Sequence, residues 1–188
     1  SRVPFDEDID PGDFLPHSRF SREQLLDRLR EVVSQVEDEF CHRLLEALLA
    51  DEEMMAQFSR APGGKTWHHA YVGGLLEHTL SVVELCRQAA PLYTGINVDL
   101  LVTGAIFHDL GKTRELTYDI AFDYTTIGRL VGHVVMSYDL LRHYAGQVED
   151  FPQDTLMYLA HMILSHHGET ERSPILPMTL EASLLHYL

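Results

Sequence analysis

The chain has 188 residues, 45% of them hydrophobic and 23% charged, with a formal net charge of −15, which sets one domain with a core of its own and room for an arm. So acidic a domain does not grip nucleic acid mainly by neutralising phosphates, although bound divalent ions would reverse the sign of the field where a phosphate sits. No apolar run approaches the roughly 20 residues that span a bilayer, no signal peptide opens the chain, and two cysteines are too few for a disulfide framework or a thiolate zinc site. Cys41 and Cys86 sit among leucines and valines as buried free thiols, so a cytoplasmic protein is expected. The first residue is serine, which reads as a piece of a longer chain.

In chain order, residues 1–20 carry Pro4, Pro11, Pro16 and five acids without a helical period, an acidic linker or docking arm. Ser21 reads as an N-cap with Gln24 three residues on, before apolar residues at helical spacing from Leu25 to Val36. Further helices are predicted over about 40–50 and 52–60. Ala61-Pro-Gly-Gly64 breaks the pattern. A helix then runs from Gly74 to Ala90, opening on two glycines that cost roughly 1 kcal/mol each relative to alanine and so point to close backbone approach. Asn97 caps a helix from Val98 to His108. Alternation over Glu115 to Thr126 predicts a short β-hairpin or a long ordered loop. One helix is predicted from Ile127 to Tyr144 and another from Gln153 to Ser165, with a last one capped by Thr179 and still running at Leu188. The reading is all-α, with a β-hairpin near 115–126 as the one exception.

Histidine is the compositional outlier. Nine of the 12 fall between His68 and His167. A His-Asp pair is expected about once by chance in a chain with 12 His and 14 Asp, so His108-Asp109 alone proves nothing. Four helical settings, however, offer histidines near the ends of apolar runs: His78, His108 with Asp109, His133, and His166 with His167. Burying these imidazoles and a carboxylate without a shared purpose is expensive, and a bound divalent metal satisfies all of them at once. His143, near a helix end, reads as a surface residue, and His161, mid-helix, as a non-ligand. His17, His42 and His186 read as structural or exposed.

The order His…His-Asp…His…His-His resembles the HD superfamily of metal-dependent phosphohydrolases. More narrowly, His68-His-Ala-Tyr-Val-Gly-Gly-Leu-Leu-Glu-His78-Thr, Phe107-His-Asp-Leu-Gly-Lys112 and Gly128-Arg-Leu-Val-Gly-His133 resemble the YhaM-type 3′→5′ exoribonucleases. Thr179 to Leu188 is similar to that family's closing helix, so the resemblance covers roughly residues 60–188. It implies an all-α HD-domain helical bundle over residues 21–188 that holds one or two divalent ions. Mn²⁺ is expected first, and Fe²⁺, Co²⁺, Ni²⁺ and Zn²⁺ suit the same donors. Carried over, His78, His108 and Asp109 would bind the first ion, Asp109 would bridge to the second, and His133 with His166 or His167 would complete that site. The family's last ligand is an aspartate in the closing helix. This sequence stops at Leu188, where that aspartate would come next, so the bundle is expected to be truncated and its first site a ligand short. Members also carry an oligonucleotide-binding barrel ahead of the helical domain, which is expected to be absent here.

The expected activity is 3′→5′ hydrolysis of phosphodiesters in single-stranded RNA, with DNA also open as substrate. A divalent metal lowers the pKa of bound water to roughly 7 in favourable cases, and so supplies hydroxide at neutral pH. Asp109, Lys112, Arg129 and His69 are assigned to catalysis. Lys112 and Arg129 are the first candidates to hold phosphate charge, and Lys65 and Arg114 follow. His68 and His69 could bind phosphate, donate a proton to the leaving group or support a ligand, and Tyr71 or Trp67 could stack on a base. Two alternatives stay open: a phosphohydrolase of small nucleotides, and a degenerate HD domain that regulates by binding a nucleotide or a protein. Self-association is also left open.

Overall fold

The computed structural model describes residues 15–66, 69–117, 122–168 and 173–188. Helix α1 spans Arg22–Ser34 and starts as the capping box requires. The Ser21 hydroxyl accepts the Gln24 N–H, while the Gln24 side chain accepts the Ser21 N–H at 2.8 Å. Helices α2 (Glu39–Leu49) and α3 (Glu52–Phe58) each open on an aspartate that accepts a backbone N–H of the first turn. Next come α4 (Gly74–Ala89), a 3₁₀ turn at Ala90–Leu92, and α5 (Val98–Phe107), capped by Asn97 as expected. Helix α6 (Lys112–Glu115) leads into β1 (Leu116–Thr117) and β2 (Asp123–Tyr124), which pair antiparallel with Leu116 opposite Tyr124. The chain closes with α7 (Thr126–Val131), α8 (His133–Ala145), α9 (Gln153–Ser165) and α10 (Leu180–Tyr187), the last capped by Thr179. The fold is all-α, with one minimal strand pair among the described residues.

Helix α5 is the hub because it is apolar all round, and such a helix has to be enclosed. Every residue from Leu100 to Phe107 is buried, and α2, α4, α8, α9 and α10 all pack against it. Burial of a side chain such as Leu101 or Phe107 stabilises the bundle by about 2 kcal/mol. The consequence for function lies at its C-terminal end, where His108 and Asp109 emerge among the ends of neighbouring helices.

Two expectations change. The single helix predicted over 127–144 is two helices, because Gly132 adopts φ 78 and ψ 155, a backbone state that L-residues avoid. The break makes His133 the first residue of α8. Of the two glycines expected in one helix, Gly73 lies outside it at φ 81. Gly74 supplies the close approach: a Cβ there would meet the His69 carbonyl oxygen at 2.0 Å.

The described end of the expected arm is docked, with Val72 N–H donating to Pro16 O at 2.7 Å and Ser18 N–H to Val72 O at 3.0 Å. The rest of the acidic arm, together with Trp67 and His68, lies outside the described residues. Among the described residues no helix is long and apolar enough to cross a membrane. Cys41 and Cys86 are free and buried, and burial pushes both thiols up to about 12.

Candidate metal centre

The histidines converge because each sits at a helix end directed at one point. His108 is the C-cap of α5 and His166 the C-cap of α9. Both use the same device: Nδ1 faces the carbonyl three residues back, Ala105 O and Ile163 O, each at 2.7 Å. A carbonyl can only accept, so Nδ1 carries a proton and Nε2 is the ring nitrogen that can offer a lone pair. His133, at the start of α8, places Nδ1 3.0 Å from Glu115 Oε1 and is fixed in the same sense. His78 comes from the second turn of α4, and its ring centroid lies 5.5 Å from that of His108.

Asp109 sits at the centre, with its two oxygens turned to different partners. Oδ2 lies 3.6 Å from His78 Nε2, 3.3 Å from His108 Nε2 and 2.7 Å from Lys112 Nζ. Oδ1 lies 3.4 Å from His133 Nε2 and 3.6 Å from His166 Nε2. The His167 Nε2 completes that side, 3.0 Å from His133 Nε2. Two groups therefore form, His78–His108–Asp109 and His133–His166–His167, and within each the donor atoms all lie within 4.8 Å of one another.

The donor set fits divalent metal. Asp109 Oδ1 and His166 Nε2 are buried and have no hydrogen-bond partner among the described residues, an arrangement that costs on the order of 1–3 kcal/mol for each group left unsatisfied. Four imidazole Nε2 atoms lie within 3.6 Å of this one carboxylate, and a cation between them would satisfy the set. This His/Asp cluster could hold one or two divalent ions.

Electrostatics prepare the donors. Burial, reinforced by the neighbouring imidazoles, lowers His78 and His167 to about 4 and His166 well below its ordinary value, so these rings are neutral at pH 7. For Asp109, burial alone would raise the pKa, but Lys112, His108 and His133 outweigh it and hold the carboxyl well below the usual range. Glu115 is lowered in the same way, its burial overcome by the hydrogen bond from His133.

A cleft of about 530 Å³ opens onto these groups, and it sorts the expected substrate residues. Lys112, with its side chain 16% exposed, donates to Asp109 and to Gly63 O at 2.8 Å. Lys65 reaches the rim, 2.9 Å from Asp123 Oδ1, and Arg129 meets the same oxygen at 3.0 Å. His69 stands beside His78, ring centroids 5.3 Å apart, in a left-handed backbone at φ 57. Its Nδ1 is 2.6 Å from the Tyr71 hydroxyl. Arg114 is not brought in: it lines a different cleft, of about 540 Å³, with Asp51, Gln57 and Thr125. His161 accepts the Met178 N–H, and His143 is exposed, consistent with neither being a ligand.

Three residues of the cleft, Glu115, Tyr124 and His186, and Asp123 beside it went unnoticed in the sequence. Glu115 shares a face of α6 with Lys112 three residues earlier, a spacing that could have flagged it. Asp123 and Tyr124 form β2, and nothing local ties them to Lys65. His186, expected to be structural or exposed, lines the cleft and places Nδ1 3.0 Å from His166 O.

A family model described as "HD domain" matches residues 75–188. A second model, whose description names a helicase, matches residues 9–95, but that span lacks a full phosphate-binding loop: Gly64-Lys65-Thr66 follows a helix, and Ser59 stands where the first glycine would be. The chain is 33% identical over 183 residues to the 3′-5′ exoribonuclease YhaM of Bacillus subtilis, covering 97% of this chain and 57% of that protein. It is 34% identical over 179 residues to the protein of the same name from Geobacillus sp., covering 94% and 54%. Against the Bacillus pumilus protein of that name it is 31% identical over 188 residues, covering 99% and 59%. The chain thus spans a little over half the length of the curated relatives it matches. No solved structure matches it.

Proposed function

The chain belongs to the HD-domain family, and from that premise we propose a divalent-metal-dependent phosphodiesterase that shortens single-stranded RNA from its 3′ end. The observation that carries the reading is the buried Asp109 carboxylate, with each oxygen turned to its own imidazoles and Oδ1 without a hydrogen bond among the described residues. The relatives' name, 3′-5′ exoribonuclease, supplies the substrate class and direction. His78, His108 and Asp109 would hold one ion and Asp109, His133, His166 and His167 the other, with Mn²⁺ first in the assignment and Fe²⁺, Co²⁺, Ni²⁺ and Zn²⁺ chemically compatible. Such ions bring water's pKa to roughly 7 in favourable cases and offset phosphoryl charge.

The chain's own groups do the rest. Glu115 and the two helix-end carbonyls fix the tautomer and orientation of the imidazoles. Lys112, held beside Asp109, puts a positive charge next to the phosphate as it enters. Lys65 and Arg129 grip the strand at the rim. His69, fixed by Tyr71 and set against His78, protonates the departing oxygen. Two buried free cysteines fit a reducing compartment, and we place the protein in the cytoplasm.

The test is a 5′-labelled oligoribonucleotide incubated with Mn²⁺. A ladder that shortens by single nucleotides from the 3′ end is the expected result. Inorganic phosphate released from mononucleotides, with the oligonucleotide intact, would overturn the RNA assignment in favour of a small-nucleotide phosphohydrolase.

A further inference from the structure

Tyr124 lines the cleft of the metal centre yet is 41% exposed, unusual for an aromatic beside so many buried groups. Its position is built from two directions. The β1–β2 pairing sets it opposite Leu116, one residue beyond Glu115. Two cations are then held against its ring: Lys65 Nζ lies 5.7 Å and Arg129 Cζ 5.8 Å from the centroid. Both cations bind the same Asp123 oxygen, at 2.9 and 3.0 Å. Groups sharing one oxygen at those distances lie too close together to cap opposite faces of a ring from which each stands nearly 6 Å away. The other face therefore has neither cation on it.

We propose that Tyr124 is a stacking platform for a nucleobase flanking the scissile phosphodiester, with Lys65 and Arg129 holding the adjoining phosphate. The proposal rests on the phosphodiesterase reading above and adds its base subsite. An aromatic face beside two cations offers the two interactions that single-stranded nucleic acids use without sequence readout, base stacking and backbone charge. Asp123 is the positioning residue. Its carboxylate accepts from Lys65, from Arg129 and from the Tyr124 backbone N–H at 2.7 Å, and so keeps both cations beside the ring before substrate arrives. The platform is sequence-tolerant, since every base has a π-face, which suits an enzyme that removes whichever nucleotide comes next.

The experiment compares the chain with Tyr124→Phe, Tyr124→Leu and Tyr124→Ala on oligoribonucleotides that carry a base or an abasic residue at the terminal or the penultimate position. Tyr124→Phe, which keeps the ring, should retain the discrimination against abasic substrate. Tyr124→Leu and Tyr124→Ala should raise KM about tenfold on base-bearing substrate, leave kcat within twofold, and abolish the discrimination against abasic substrate at one of the two positions. Discrimination that persists in Tyr124→Leu, which keeps an apolar side chain for the hairpin, overturns the platform. Binding of a 2-aminopurine-tailed oligonucleotide separates this inference from the one it rests on. If no oligonucleotide is shortened, the function fails, but fluorescence quenching that disappears in Tyr124→Leu still supports the platform, and quenching that survives refutes it.

Discussion

Glu115 Oε1 accepts two hydrogen bonds from His133, one from the backbone N–H and one from Nδ1, both at 3.0 Å. One carboxylate thus satisfies an otherwise orphaned donor at the start of α8 and fixes the ring that faces Asp109. Glu115→Ala should weaken Mn²⁺ binding 10- to 100-fold by calorimetry and lower stability by about 1 kcal/mol through the lost cap. Glu115→Gln keeps an accepting oxygen without the charge and should lose less of both. An unchanged Mn²⁺ affinity in Glu115→Ala would show that the ring is oriented by something else.

Asp109→Asn removes the charge between the two imidazole sets and should cut Mn²⁺-dependent hydrolysis at least a hundredfold. The helical signal in far-ultraviolet circular dichroism should survive, because the core around α5 is untouched. The more telling readout is thermal. An ion that binds only the folded state raises Tm in proportion to the logarithm of its concentration, so the unaltered chain should climb with added Mn²⁺ while Asp109→Asn stays flat. His143→Ala, on the exposed side of α8, is the control and should track the unaltered chain. A variant that still climbs would remove Asp109 from the metal site.

What the sequence disclosed follows from range. Caps at Ser21, Asn97 and Thr179 rest on a side chain and an amide three residues apart, and the candidate ligand histidines lie near the ends of apolar runs that periodicity reveals. The break at Gly132 was hidden because Ile127, Leu130 and Val131 look like a core face and are in fact exposed, Leu130 at 80%. The cleft's cations divide for a local reason as well. In the four-residue α6, successive residues turn by about 100°, so Lys112 and Glu115 reach the cleft while Arg114 faces the other way. Asp123 meets Lys65 across 58 positions of sequence, a distance over which no spacing rule operates.

Acid should loosen the metal-free fold in a defined window. His78 and His167 titrate near 4 when folded, against 6.5 in the open chain. Between those values the unfolded state binds more protons, so stability is full above about pH 6.5 and falls as the pH drops toward 4. The loss is about 3 kcal/mol for His78 and smaller for the more exposed His167, where solvent screens the interaction. Asp109, held below its usual range, extends the decline to still lower pH. Urea midpoints at pH 7, 5.5 and 4 should decrease in that order, and an even profile would contradict the buried neutral imidazoles.

Gly74→Ala sets two effects against each other. Helix propensity favours alanine by about 1 kcal/mol. Against it, the added Cβ would stand 2.0 Å from the His69 carbonyl oxygen and 2.9 Å from its carbon. These are backbone atoms, which cannot swing aside, and overpacking of this kind costs about 1–3 kcal/mol. The segment is also pinned by Gly63 N–H donating to that same carbonyl at 2.9 Å. The clash should win, giving a lower urea midpoint with an unchanged slope. Because His69 abuts His78 on the next turn of α4, Mn²⁺ affinity should fall too. Gly146→Ala supplies the contrast: its φ is −68 and its nearest neighbour would be Arg142 O at 3.3 Å, so it should be close to neutral in both measurements. If Gly74→Ala proved as stable as Gly146→Ala, the close approach of α4 to the His69 backbone would not be what requires glycine there.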